Sequence, residues 1–361
     1  MYFHFQNQKG WMNDPNGLIY YKGKYHAFFQ HYPYAPRWGQ MHWGHAVSEN
    51  LLDWEELDIA LCPDEPYEND GGCFSGSAIE KDGRLYLFYT SVSHELGQTQ
   101  SVAFSDDGIT FTKYENNPVI KESPLGSNRE FRDPKVFEYE GGYRMVVGAG
   151  IDNIGKLLLF KSDNLLDWEY VGELISDMDF GPCIECPDVF EIDGKWVMMF
   201  SSIKSRPHRV NFAVGLFDGE RFIFDNPDDP FFSLEIGPDF YAPQTFEAPN
   251  QRRILISWMY NWSKSIPAGA THVGAFTIPR ELKINFDDKL TMRPIKEVMP
   301  FIKKESKYVS YDDGLLCIRY EGKTLFKIPL AEEPKTEILE DVGTVEVFLD
   351  GGLKTITTYI C

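Results

Sequence analysis

The sequence predicts an all-β fold, a five-bladed β-propeller followed by a small C-terminal module of short strands. Three observations carry that expectation. A ten-residue block recurs at a fixed step, a second series of strand-like runs interleaves with it, and no amphipathic helical pattern separates them. In the first series SENLLDWEEL starts at Ser48, SDDGITFTKY at Ser105 and SDNLLDWEYV at Ser162, two successive steps of 57 residues. Each copy reads as a turn carrying Ser, Asp or Asn, then a strand led by Trp or Phe. In the second series GKYHAFFQH, GRLYLFYTS, GYRMVVGAG and GKWVMMFSS begin at Gly23, Gly83, Gly142 and Gly194. RRILISWMY, from Arg252, supplies a fifth member without the glycine. Aromatic and β-branched runs behind such turns are hairpin signatures. Five strand-rich units, each of roughly fifty to sixty residues, indicate propeller blades. A sandwich or β-helix is the alternative, but sandwich strands do not recur in such similar blocks.

Composition narrows the function classes. The chain has 361 residues, which alone suggests about two domains. Its net charge of −20 argues against nucleic acid and anionic membrane as partners. No apolar run is long enough to span a bilayer. The N-terminal stretch MYFHFQNQKGWMNDPNG lacks the basic, apolar and small-residue regions of a secretory signal, so a cytoplasmic location is expected if this is the native start. An aromatic content of 15% suits both β-sheets and sugar-stacking surfaces. Of the six cysteines, Cys183 and Cys186 form a C-x-x-C that reads as a redox pair, half a zinc site, or two reduced cysteines near a core. No second ligand pair at zinc-finger spacing accompanies it. His42 and His45, three apart, are expected to be structural or to line a pocket rather than bind metal, and so is His31. No metal and no cofactor is expected.

Nine residues before the glycine of three runs stand Asp14, Asp133 and Glu185; in the fourth stands Phe74, followed by Ser75. Repeat-equivalent residues at the starts of innermost strands converge at one mouth of a propeller channel, so the three acids are expected to cluster. Turn capping is the alternative use of such acids. A carboxylate cluster can bind a cation, do acid–base work or cleave a glycosidic bond. Calcium takes six to eight oxygens, often from one acidic loop, and no such loop is visible. Glycosidic cleavage needs a nucleophile or base and a proton donor, both from Asp or Glu. Close, partly buried carboxylates also push their pKa values apart, which keeps one protonated near neutrality. Around them Asn13, Gln30, Ser75, Arg132 and Asp239 offer paired donors and acceptors for vicinal hydroxyls. Trp38, Phe74, Trp258 and Trp262 are candidate apolar walls, each also a candidate core residue.

WMNDPNG (11–17), FFQ (28–30), FSGS (74–77), FRDP (131–134), ECPD (185–188) and DFYA (239–242) together resemble, in order, the signatures of glycoside hydrolase family 32, the β-fructosidases. The resemblance covers residues 11 to about 295. It implies a five-bladed propeller and a retaining mechanism on β-linked fructofuranosyl groups. On the matching positions Asp14 is the nucleophile, Glu185 the acid/base and Asp133, helped by Arg132, the transition-state stabiliser. Cys186 is the family's usual neighbour of the acid/base, and Cys183 has no corresponding role. Retention implies that the Asp14 and Glu185 carboxyl groups lie roughly 5–5.5 Å apart.

Past the propeller (1–294) and a linker (295–304), residues 305–361 alternate apolar and polar as short strands do. TVEVFLDGGLKTITTY resembles the closing strands of the β-sandwich that follows the propeller in this family, which is longer than the stretch present here, so the resemblance implies a small, abbreviated C-terminal β-sandwich-like module. A sheet this small buries little surface alone, is expected to pack on the propeller, and has edges that can pair with a second copy in a homodimer. The expected activity is release of fructose from sucrose or short fructo-oligosaccharides. A fructosyltransferase using the same intermediate and a non-catalytic sugar-binding propeller are the alternatives. Leaving group, linkage, and exo or endo action depend on loops such as 33–43, 62–73 and 203–210.

Overall fold

The computed structural model describes residues 3–204, 209–259, 262, 266 and 268–360. Among them five antiparallel sheets follow one another along the chain as blades one to five. Their first strands are Gly10–Tyr21, Gly72–Lys81, Phe131–Tyr139, Ile184–Ile192 and Tyr241–Ala248. These strands contact their neighbours in turn, and the fifth contacts the first, so they line the axis of a closed ring. This is the propeller that the repeats predict.

The repeats have local physical causes. In the first series Ser48 Oγ accepts the N–H of Leu51 at 2.9 Å, Asn50 Oδ1 accepts those of Leu52 and Asp53, and the Trp54 indole donates to the Leu51 carbonyl. Ser162, Asn164, Leu165 and Trp168 repeat this arrangement bond for bond, and Ser105 with Asp107 repeats its core. Each turn joins the third strand of a blade to its fourth. The second series marks the hairpin between first and second strands. There Lys22-Gly23, Asp82-Gly83, Glu140-Gly141 and Asp193-Gly194 all have positive φ at both residues, as two-residue turns matched to strand twist require.

Apolar residues fill the wedges between adjacent blades. Phe88, Val102, Met145 and Leu158 pack between blades two and three; Val146, Leu159, Val189 and Met198 pack between three and four. Burial of each such side chain contributes about 1.5–3 kcal/mol. Blades approach closely enough that a side chain on Gly148 would meet the carbonyl oxygen of Ile184 at 2.1 Å. The ring closes where Gly10 and Trp11 pair in parallel with His272 and Val273.

Beyond a short 3-10 segment, Lys296–Phe301, lie two three-stranded sheets built from Val309–Asp312, Leu315–Tyr320, Lys323–Pro329 and from Thr336–Asp341, Thr344–Leu349, Lys354–Tyr359. They share one apolar cluster that includes Leu316, Ile318, Ile338, Val345 and Ile356. The second sheet is fastened to the ring by buried charge. Arg280, in blade five, donates to Glu346 at 2.6 Å and to Glu235 at 2.9 Å, and its guanidinium lies over the rings of Phe240 and Phe348. His4 contacts Glu346 and Asp341, both at 2.7 Å.

Candidate active site

Each of the five innermost strands breaks its pairing register near its start. The irregularities fall between Met12 and Pro15, Phe74 and Gly76, Arg132 and Lys135, Glu185 and Asp188, and Tyr241 and Gln244. A bulge of this kind bends the strand and re-aims side chains. In blades three, four and five it contains Asp133-Pro134, Cys186-Pro187 and Ala242-Pro243, with φ of 64°, 46° and 52° at the residue before proline. Positive φ costs a non-glycine residue about 1–2 kcal/mol, strain that the ring holds in place.

The register corrects one expectation. Counting back from the glycines makes Asp14, Asp133 and Glu185 repeat-equivalent, but Glu185 stands level with Arg132 and Tyr241, and the equivalent of Asp133 is Cys186. The count slips because the turn glycine of blade three is Gly141, not Gly142, and because blade one carries a second irregularity between Asn16 and Ile19. The acids meet nonetheless, since successive positions on a bulged strand can both face the channel mouth.

They meet in a cavity of about 710 Å³, lined by Asn13, Asp14, Gln30, Trp38, Phe74, Ser75, Gln98, Glu130, Arg132, Asp133, Glu185, Ile203, Arg209, Tyr241, Trp258 and Trp262. Asp14 Oδ2 accepts from Ser75 Oγ at 2.8 Å and from the Cys186 thiol at 3.6 Å. The same thiol lies 3.5 Å from Asp133 Oδ2, which also accepts the Cys186 N–H at 2.8 Å. Burial, with neighbouring acidic charge, pushes that thiol well above its usual range, so it stays protonated and able to donate. Arg132 donates to Glu185 Oε1 at 2.9 and 3.1 Å and is held from behind by Gln98 and Glu130. The Tyr241 hydroxyl donates to Glu185 Oε2. Burial raises Asp14 to about 6; the Glu185 charge adds to this, against lowering bonds from Asn13, Ser75 and Cys186. Burial raises Asp133 to about 7, where Arg132 pulls down and the charges of Glu185 and Asp14 push up.

Of the residues expected to bind substrate, Asn13, Gln30, Trp38, Phe74, Ser75, Arg132 and Trp258 line this cavity, and Cys186 lies beneath it. Asp239 does not. It is fully buried and its carboxylate accepts the N–H of Tyr359 at 2.8 Å, so it ties the ring to the last sheet instead of facing a ligand. Trp262, half exposed, stands at the rim. Of the segment 203–210, residues 205–208 lie outside the described residues, as does Cys361. Cys183 is a buried free thiol facing the Ile184 carbonyl. His42 and His45 are buried in blade one, away from the cavity, where His45 stacks on Phe28 and contacts His26. Among the described residues no His, Cys, Asp and Glu side chains group as metal ligands. Sequence reasoning misses Tyr241, Gln98, Glu130 and Arg209. Tyr241 falls inside the DFYA block and Arg209 inside the loop 203–210, though neither is singled out; Gln98 and Glu130 carry no local signal.

A family model, the glycosyl hydrolases family 32 N-terminal domain, matches residues 4–294. A sucrose-6-phosphate hydrolase of Bacillus subtilis is 37% identical over 369 residues, covering 96% of this chain and 74% of that protein. A sucrose-6-phosphate hydrolase of Zymomonas mobilis is 38% identical, covering 85% of this chain, and the chain spans 64% of its length. A levanase of Bacillus subtilis is 40% identical over 82% of this chain and 47% of its own length. Among solved structures, the Bombyx mori GH32 β-fructofuranosidase superposes with a TM-score of 0.86 at 29% identity, covering 99% of this chain and 88% of that one.

Proposed function

This chain belongs to glycoside hydrolase family 32, and on that premise we propose that it is a retaining β-fructofuranosidase releasing fructose from sucrose-like or short fructo-oligosaccharide substrates. The observation that supports this most is the pairing of two differently held carboxyl groups in one cavity. Asp14 sits among donors that favour a carboxylate, and Glu185 reaches the same space from another blade. Glu185, protonated in the complex, gives its proton to the glycosidic oxygen as that oxygen leaves the anomeric carbon. Asp14 forms the new bond to that carbon. Glu185 then takes a proton from water, whose oxygen displaces Asp14 and restores both groups. Asp133, next to Asp14, hydrogen-bonds the fructosyl hydroxyls while positive charge develops on the ring. Arg132 and Tyr241 orient Glu185.

The roles are tested by fructose release from sucrose, 1-kestose, inulin and levan, comparing native protein with Asp14→Asn. The substitution is expected to lower release by at least about a thousandfold, the scale of losing a nucleophile. Native-like release from the variant would overturn the assignment. The same reading divides the chain into a catalytic propeller (1–294), a linker (295–304) and an accessory module (305–361). A cytoplasmic location goes with it, supported by five cysteines that stand as free thiols. Pairing of two copies through the exposed edge strand Lys323–Pro329 would give a homodimer.

A further inference from the structure

We propose that Lys135, Asp188 and Thr245 form a belt beneath the catalytic cavity that positions the reacting groups above it, an inference that deepens the β-fructofuranosidase reading and rests on it. The Lys135 ammonium, on blade three, lies 3.0 Å from Asp188 Oδ2 on blade four and donates to the Thr245 carbonyl on blade five at 2.6 Å. Asp188 Oδ2 also accepts the N–H and the hydroxyl of Thr245, at 2.8 and 2.9 Å. These contacts tie three innermost strands to one another, and all three residues are buried. They line a second cavity, of about 1110 Å³, that reaches the hairpin ends of the strands. None of them lines the catalytic cavity, so substrate does not touch them.

The place of the belt in the strands says what it holds. Lys135 and Asp188 are the first residues to resume pairing after their bulges, and Thr245 is the second after its own. Immediately before the same bulges stand Arg132, Glu185 and Tyr241, where Arg132 and Tyr241 both donate to the Glu185 carboxylate. Each bulge therefore has a cavity residue on one side and a belt residue on the other. Among the described residues, positive φ at a non-glycine residue before proline occurs at Asp133, Cys186 and Ala242. Those are the three blades that the belt joins; blades one and two lack both features. The N–H groups of the same three residues are held from the preceding blade, by Thr90 Oγ1 at 2.9 Å, Asp133 Oδ2 at 2.8 Å and Ser201 Oγ at 3.1 Å. The belt completes the clamp from below. A buried ion pair is weak support for stability, because desolvation offsets the attraction and apolar side chains of similar volume do as well. Converging bonds instead fix direction, and a shift of about 1 Å between reacting groups can cost about a hundredfold in rate.

The test compares native protein with Lys135→Met/Asp188→Leu, which removes both charges together, each assayed well below its Tm. Asp188→Asn, which breaks the ion pair yet keeps an acceptor for Thr245, takes its place if the double variant does not fold. Kinetics on sucrose should show kcat lowered by about tenfold to a hundredfold with KM within about threefold, the pattern of an interaction made in the transition state. Lys135→Arg, whose larger head has room in the second cavity, should keep most of kcat. A folded variant with kcat within about twofold of native, or with KM raised and kcat intact, would overturn the belt's role. Hydrogen exchange read by mass spectrometry follows the same belt without turnover. Peptides covering 131–136, 184–189 and 241–246 should exchange faster in the variant while the remaining strands keep native rates. Native rates at these peptides, or an increase spread evenly over the ring, would overturn positioning. If native protein cleaves no fructoside, the fructofuranosidase reading fails, and exchange at the three bulges still decides whether the belt holds them.

Discussion

Cys186 illustrates how one side chain can serve two acids. Its thiol reaches both Asp14 and Asp133, and its backbone N–H is committed to Asp133 by the bulge on which it sits. These bonds favour the carboxylates against a burial effect that raises both. Asp14 attacks only when ionised, so kcat/KM should fall as pH drops through about 6, well above an ordinary carboxylate limb. In Cys186→Ala the thiol bond that lowers Asp14 is gone. The acid limb should therefore move to higher pH by a few tenths of a unit. Initial rates between pH 4 and 8 measure this, and a limb that stays or moves down would show that the thiol does not tune Asp14.

At the scale of elements, the Ser-x-Asn-Leu turns are the most compact devices in the ring, because one hydroxyl and one amide satisfy four backbone N–H groups. Ser162→Ala removes the acceptor for Leu165 N–H, a buried donor, and should cost about 1 kcal/mol. Thermal melts would register this as a Tm lowered by roughly 2–4 °C with kcat/KM unchanged, since the turn is remote from the cavity. These turns are legible in the sequence because every bond in them spans two or three residues. The blade hairpins are legible for the same reason. The bulges are not, since an extra residue in a strand leaves no mark until its partner is known, and this is why Glu185 aligns one position out. Asp14, Asp133 and Glu185 stand out all the same, because the blocks around them are distinctive. Gln98 and Glu130 escape notice because their task is to hold Arg132, and Gln98 lies 34 residues from it in sequence. Asp239 misleads because a polar residue beside aromatics looks the same whether its partner is a sugar or the N–H of Tyr359.

For the whole molecule, the buried charges linking His4, Arg280, Glu235, Asp341 and Glu346 make stability depend on pH. Burial alone would lower the His4 pKa, but its bonds to Asp341 and Glu346, both in the last sheet, outweigh this and raise it above 6.5. A raised histidine stabilises the fold fully below its unfolded value near 6.5, and the contribution is lost as pH rises through the higher folded value. Glu346 is lowered: burial opposes, but Arg280 and His4 prevail, so its contribution is present above 4.5 and lost as pH falls through the folded value. Native Tm should therefore decline as pH rises above about 6.5 by a component that His4→Gln lacks, which differential scanning calorimetry can resolve; parallel curves for the two proteins would contradict it. The contact between His4 and Glu346 also joins positions 342 residues apart. Loop closure over such a span is slow compared with forming any hairpin of the ring. Blades can assemble early and locally, while the seam between blades five and one, where Gly10 pairs with His272, waits for a long-range encounter of its own. The cavity draws its walls from both sides of that seam, so its final shape is acquired late in folding, after most of the β-structure already exists.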